Sequence, residues 1–172
     1  PDVMLSLNVS GRTTADRLWR ETLASHLTAD KNLARRLVIE ITETVAIHEV
    51  VELTEFVAKF RELGCQIAID DFGAGYTSFR NLKMLDVDPV KIDGSFVIDL
   101  ATNPDNQFFV RTLVDLARNF NLPTVAEWVS NEEEVEMLRD LGVKYLQGFY
   151  LGEPAMSLPS SLRTIEGARS IA

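Results

Sequence analysis

Seven side chains stand out in the 172-residue chain because each interrupts or closes an apolar run: Asn8, Glu40, Asp70, Asp71, Lys91, Glu127 and Gln147. Ionised groups are almost never buried unless they are paired or bind a metal. Their recurrence at the end of one run after another points to a shared polar site. Electrostatics narrows what fills it. Two carboxylates about 4 Å apart repel by roughly 4 kcal/mol at an effective dielectric of 20. Glu40, Asp70, Asp71 and Glu127 gathered at one rim would cost a large share of the ~5–15 kcal/mol that keeps a domain folded, and Lys91 alone cannot cancel them. Oxygen donors without Cys or His select a hard cation, Mg2+, Mn2+ or Ca2+, over zinc. Adjacent Asp70 and Asp71 suit a bridging ion or two ions, an arrangement that assists phosphoester displacement. For any single carboxylate the competing account is an ion pair with Lys91 or a helix cap.

These residues need elements to carry them. Six apolar or β-branched runs recur along the chain: 3–9, 36–42, 66–72, 89–93, 123–129 and 144–151. Most are continuous rather than alternating, as in strands buried on both faces of a parallel sheet. Helical patterns lie between them. Residues 16–27 place Leu18, Trp19, Leu23 and Leu27 on one stripe, and 50–63 place Leu53, Phe56, Val57 and Phe60 likewise before Gly64. Residues 105–120 carry Phe108, Phe109, Leu113, Leu116 and Phe120 behind Asn103-Pro104, and 131–141 carry Val135, Leu138 and Leu141 before Gly142. A short helix over 77–85 and a final one over 157–170 complete the pattern. Alternating strand and helix means βα units, in an open doubly wound sheet or a barrel. No Gly-rich phosphate fingerprint follows the first strand, and six strands fall two short of a (β/α)8 barrel. In either fold the C-terminal rim of parallel strands is where sites are built.

Composition excludes several classes. A net charge of −9 argues against non-specific nucleic-acid binding and against an anionic membrane surface, although bound cations can admit a phosphate ligand. One cysteine, Cys65, excludes an internal disulfide framework. No run approaches the ~18 apolar residues of a membrane span and no signal peptide opens the chain, so a cytoplasmic protein, or the cytoplasmic part of a larger sensor, is expected. The chain opens on Pro1, as a piece of something longer would. His26 and His48 read as helix residues too far from strand ends for a triad, and no Ser-His-Asp constellation is visible. The acidic run 132–134 suits a helix N-terminus.

The segment DDFGAGYTS (70–78) places Gly73 and Gly75 directly after the paired aspartates, where positive φ and close backbone approach are permitted. With LSLNVS, EITE (40–43), KID (91–93), AEWVS (126–130) and QGFYLGEP (147–154) in this order, the chain resembles the EAL-domain family of cyclic di-GMP phosphodiesterases. The resemblance implies an α/β fold, a TIM-type (β/α)8 barrel, here incomplete with about six parallel strands. It implies a single domain over 1–172 without its first two strands, since no Glu-Ala-Leu string occurs. Without those strands, exposed sheet edges would invite pairing with another chain. By the same resemblance Asn8, Glu40 and Asp70 correspond to ligands of a first Mg2+ or Mn2+, and Asp70 and Asp71 to ligands of a second. Glu43 corresponds to the carboxylate that holds the loop with Gly73 and Gly75. Lys91 and Glu127 correspond to residues that position or deprotonate the attacking water, and Gln147 steadies that region. The implied activity is hydrolysis of cyclic di-GMP to linear pGpG, weak or absent in so short a chain. The implied partners are the dinucleotide and a homodimer mate or other domains, with neither DNA, RNA nor a membrane.

The family pattern AEGVE reads AEWVS here, so Ser130 replaces a carboxylate and Trp128 a glycine. Ser130 with Glu133 three residues on forms a capping-box pattern for the 131–141 helix. If Glu127 faces the site, strand alternation turns Trp128 outward toward the helices, into core packing rather than ligand stacking. Three functions are therefore in play: a phosphodiesterase, a degenerate domain that binds cyclic di-GMP without cutting it, and a scaffold with neither property.

Overall fold

The computed structural model describes residues 3–48, 50–75, 84–155, 164–165 and 168–170, in two units, Pro1–Pro89 and Val90–Ala172. The first unit holds three parallel strands, β1 (Leu5–Val9), β2 (Leu37–Thr42) and β3 (Gln66–Phe72). Helices α1 (Gly11–Ala15), α2 (Arg17–Ala29) and α3 (Lys31–Arg36) join β1 to β2. Helices α4 (Glu43–His48) and α5 (Val50–Leu63) join β2 to β3. β2 is buried from Leu37 to Ile41, as expected of a strand covered on both faces. β1 differs. Leu5, Ser6 and Asn8 are exposed, because among the described residues of this unit β1 has a neighbour on one side only, β2. The expectation of two covered faces does not hold for it.

Each of the first three helices begins on a side chain that the apolar pattern did not reveal. Ser10, Asp16 and Asp30 accept the N–H of Thr13, of Trp19 and of both Asn32 and Leu33, supplying acceptors to otherwise orphaned donors. Trp19 then packs on Phe56 and Phe60 of α5, with ring centroids 6.4 Å from each. Leu18 falls outside this stripe and is 74% exposed. The reading of Leu18 as a core residue is corrected, since Trp19, Leu23 and Leu27 already complete the inward i, i+4 row. Leu53, Phe56, Val57 and Phe60 are buried as their spacing requires.

Asp88 ties the end of this unit to β3. It accepts the Ile67 N–H at 2.9 Å and pairs with Arg61, which also meets Asp86 at 2.8 Å. The hydrogen bond to Asp88 is the chief reason the Arg61 guanidinium is held above its ordinary pKa. Burial alone pushes the Cys65 thiol up to about 11, which marks it as an inert packing group.

The second unit holds parallel strands β4 (Val90–Ile92), β5 (Thr124–Ala126) and β6 (Tyr145–Leu146). β7 (Thr164–Ile165) runs antiparallel to β8 (Ala168–Ser170), which lies parallel to β6. A 3-10 turn (Gly94–Phe96), α6 (Pro104–Asn119) and α7 (Glu132–Leu141) connect them. Asn103 caps α6, accepting the N–H groups of Asp105 and Asn106, with Pro104 in the first turn. The buried face of α6 is Val110, Val114 and Ala117, whereas Phe108 is 67% exposed and Phe109 half exposed. The expected aromatic stripe is therefore rotated from the true one. Small and branched residues fill the interface beneath α6, and Phe109 reaches only as far as Phe96, at 5.6 Å between centroids. The helix expected over 157–170 is also corrected. Two of its segments are strands, consistent with β-branched Thr164 and Ile165 and with a glycine at 167. Of the helix expected over 77–85, residues 77–83 lie outside the described residues.

Asp88→Ala should lower stability by about 1–3 kcal/mol in urea titration, because it strands the Ile67 amide and removes one of the two carboxylates that Arg61 meets. Asp86→Ala, an exposed partner, should cost under about 1 kcal/mol. Equal losses would show that the charge pair, not the amide bond, anchors this segment.

Candidate active site

In the first unit, register decides which side chains share a face. Asn8 is opposite Glu40, Glu40 is opposite Ala68, and Asp70 follows Ala68 by two. With a period of two, Asn8, Glu40 and Asp70 all project from the same face of the sheet. Glu40 is buried there, Asp70 half-buried and Asn8 exposed. Strict alternation would send Asp71 to the opposite face. Its φ of 57° breaks the alternation, and one carboxylate oxygen of Asp71 comes within 4.8 Å of one from Asp70. At that separation the two charges repel by about 3–4 kcal/mol at an effective dielectric of 20. A divalent ion bonded to oxygens at about 2.0–2.6 Å can bridge such a spacing. The donor set, carboxylates and one amide with neither sulfur nor imidazole, fits Mg2+, Mn2+ or Ca2+.

Glu43 is the first residue of α4 and follows β2 directly. It is buried, and one of its oxygens accepts the N–H of Gly73 at 3.0 Å and of Gly75 at 3.2 Å. The turn after the paired aspartates is thus fastened to the end of the neighbouring strand by charge-assisted bonds. Residues 76–78 of the DDFGAGYTS segment lie outside the described residues.

In the second unit, Lys91 sits in the middle of β4 and Glu127 immediately after β5. Both are buried, and Lys91 Nζ lies 2.6 Å from Glu127 Oε1. Gln147 follows β6. Its N–H donates to the Ala126 carbonyl at 2.8 Å, and its own carbonyl accepts the Val129 N–H at 3.0 Å. The turn continues with Gly148, where any Cβ would sit 2.2 Å from the Val129 carbonyl oxygen. Only glycine allows that approach. Tyr150 N–H closes the lacing onto the same Val129 oxygen at 3.1 Å.

Two sequence expectations are corrected here. Trp128 has a φ of 56° and is 58% exposed. Because it leaves the strand in the left-handed region, alternation does not apply and the indole is not in the core. A bulky residue there costs on the order of 1–3 kcal/mol. Ser130 does not cap the helix with Glu133. The cap is Asn131, which accepts the Glu134 N–H at 2.9 Å, while Glu134 accepts from the Ser130 N–H at 2.7 Å and from its hydroxyl. The box is shifted by one residue, and Glu134, only 2% exposed, is a positioning carboxylate that the sequence reading missed. The Asn-x-x-Glu pattern beginning at Asn131 carried the signal.

A family model described as the EAL domain matches residues 1–154. The chain belongs to the EAL domain family. It is 41% identical over 139 residues to cyclic di-GMP phosphodiesterase PdeF of Escherichia coli (strain K12), covering 81% of this chain and 18% of that protein. It is 37% identical over 153 residues to cyclic di-GMP phosphodiesterase PdeB of Shewanella oneidensis, covering 89% of this chain and 18% of the relative. The chain thus spans about a fifth of the length of these relatives. Among solved structures it is similar to the PaMucR phosphodiesterase in its c-di-GMP complex, with a TM-score of 0.81, 34% identity, and coverage of 88% of this chain and 61% of that one. The FimX EAL domain from Pseudomonas aeruginosa bound to c-di-GMP gives a TM-score of 0.85 at 28% identity, covering 93% and 66%. The fold class read from the sequence, an α/β chain carrying six parallel strands of a TIM-type EAL barrel, is the one found. Among the described residues, no helix of this EAL chain is long and apolar enough to cross a membrane.

Glu43→Ala should speed hydrogen exchange at the Gly73 and Gly75 amides by about 10–100-fold, the loss of a charge-assisted bond to each. Unchanged protection would mean that the turn holds itself through the Ala74 N–H to Asp71 carbonyl bond at 3.1 Å. Lys91→Met should destabilise by about 3–5 kcal/mol by leaving Glu127 buried without its ammonium. The double variant Lys91→Met with Glu127→Leu should recover much of that loss in thermal melts, and additive losses would refute the coupling.

Proposed function

We propose that this chain carries the dinucleotide-binding and hydrolytic residues of an EAL-type phosphodiesterase, acting on cyclic di-GMP to give linear pGpG. The observation that carries the reading is the arrangement at the end of β3: two adjacent carboxylates within 4.8 Å and an amide-fastened turn beyond them. The matching family model covers residues 1–154 and so reaches into both units, which supports reading the two as parts of one domain. Asn8, Glu40, Asp70 and Asp71 are the residues that would hold Mg2+ or Mn2+, two ions in an active domain. Bound there, such ions supply Lewis-acid activation of water and neutralise charge on phosphoryl oxygens. Glu127 takes the proton of the attacking water. Lys91 holds that carboxylate in place by direct pairing at 2.6 Å. Glu43 positions the turn with Gly73 and Gly75, and Gln147 steadies the segment after Glu127 through its backbone.

A second reading is favoured by Ser130. The family carboxylate is absent there, and the hydroxyl that replaces it is engaged by Glu134. Loss of one such group typically costs 10–100-fold in metal affinity or activity, which shifts an EAL domain toward binding without turnover. The two readings separate in one experiment with Mn2+ and labelled cyclic di-GMP under single-turnover conditions, beside calorimetry of the same sample. Slow hydrolysis to pGpG, abolished in Asp70→Asn together with a sharply weakened Mn2+ titration, is the expected result. Tight binding without product would establish the second reading. Neither heat nor product would overturn both.

A further inference from the structure

The mechanism above leaves Trp128 without a role, although it follows Glu127 directly and sits on a strained backbone. Packing does not explain it, because 58% of the residue faces solvent. Local propensity does not explain it either, since a φ of 56° favours glycine over any aromatic residue. What fixes the ring is Gly94, three residues beyond Lys91. A Cβ on Gly94 would lie 2.1 Å from Trp128 Cδ2 and 2.2 Å from Cγ. The indole is therefore pressed against bare main chain in the turn after β4, and its remaining surface is open. Its backbone follows Glu127 directly, and the turn it packs on begins three residues after Lys91, with no side chain of residue 94 beneath the ring. Two further exposed rings, Phe149 and Tyr150, lie on the segment bonded to Val129.

We propose that Trp128 is a stacking platform for a planar purine base of the substrate, and so a specificity-determining residue. This rests on the cyclic dinucleotide reading above. A rigid aromatic ring backed by main chain offers a nucleobase a large apolar face at little entropic cost. The phosphoester is thereby recognised through its base as well as through its phosphate. An aliphatic or purely phosphate-bearing ligand would gain nothing from such a surface.

The test uses the whole chain with Trp19→Phe, which leaves Trp128 as its one tryptophan. Cyclic di-GMP is titrated in Mg2+, followed by fluorescence and by calorimetry before turnover accumulates. Trp128 emission should be quenched by the ligand. Trp128→Gly should weaken binding roughly tenfold, whereas Trp128→Phe, which keeps a ring, should retain most of the affinity. Trp128→Gly should also melt no lower than the parent, because glycine relieves the left-handed φ. If it melts lower, the quenching in the parent still decides. Unquenched emission with equal affinity in Trp128→Gly would overturn the platform while leaving the dinucleotide reading intact. Absence of binding heat in the parent would overturn that reading itself, and the platform with it.

Discussion

Charge buried at the ends of parallel strands has to be answered locally, and this requirement organises both units. In the second unit the answer is a direct pair, Lys91 with Glu127 at 2.6 Å, both buried. A pair of this kind gives little net stability, since desolvation of both ions offsets their attraction. Its value lies in position. Neither partner can be removed without leaving the other's buried charge without this pairing, so the middle of β4 and the end of β5 are tied together. In the first unit, buried Glu43 is answered by main-chain donors at Gly73 and Gly75. Glu134 is answered in the same manner by Ser130. Each of these carboxylates ties down a loop through its main-chain N–H groups.

The strands were legible because burial on both faces writes itself as continuous apolar sequence. All six runs became strands, and β2 has the burial expected of it from end to end. What the pattern did not carry was neighbourhood. LSLN reads like the other runs, yet β1 is exposed because exposure depends on what stands beside a strand. Helix existence was equally legible and helix phase less so. Large apolar residues do not always face inward, as Leu18 and Phe108 show, and the smaller Val110, Val114 and Ala117 take the inner face of α6.

The candidate residues were legible for a different reason. A charged side chain amid apolar neighbours has few physical explanations, so its type and spacing carry more information than those of a leucine. Lys91 and Glu127 were found in this way, and each is the other's partner; Glu43 came only from the family resemblance. Glu134 escaped because it sits in an acidic run that also suits a helix N-terminus. Composition gives three equivalent glutamates, while geometry makes one of them a buried acceptor.

Strand ends were the least legible feature, and the cause is a single device used twice. Asp71 follows Asp70 and Trp128 follows Glu127, with φ of 57° and 56°. At each point the left-handed residue ends the alternation, so that the residue after a site carboxylate is freed from the opposite face. For Asp71 this is inexpensive, because aspartate visits that region several-fold more often than most residues. The freed side chain is then a second carboxylate, brought near the first. For Trp128 the same turn is costly, and the backbone would be easier with glycine. An exposed indole at that point lowers stability without enlarging the core. The turn geometry favours glycine there; it does not call for tryptophan, whose indole adds a contact with Gly94 on one side and an open face on the other.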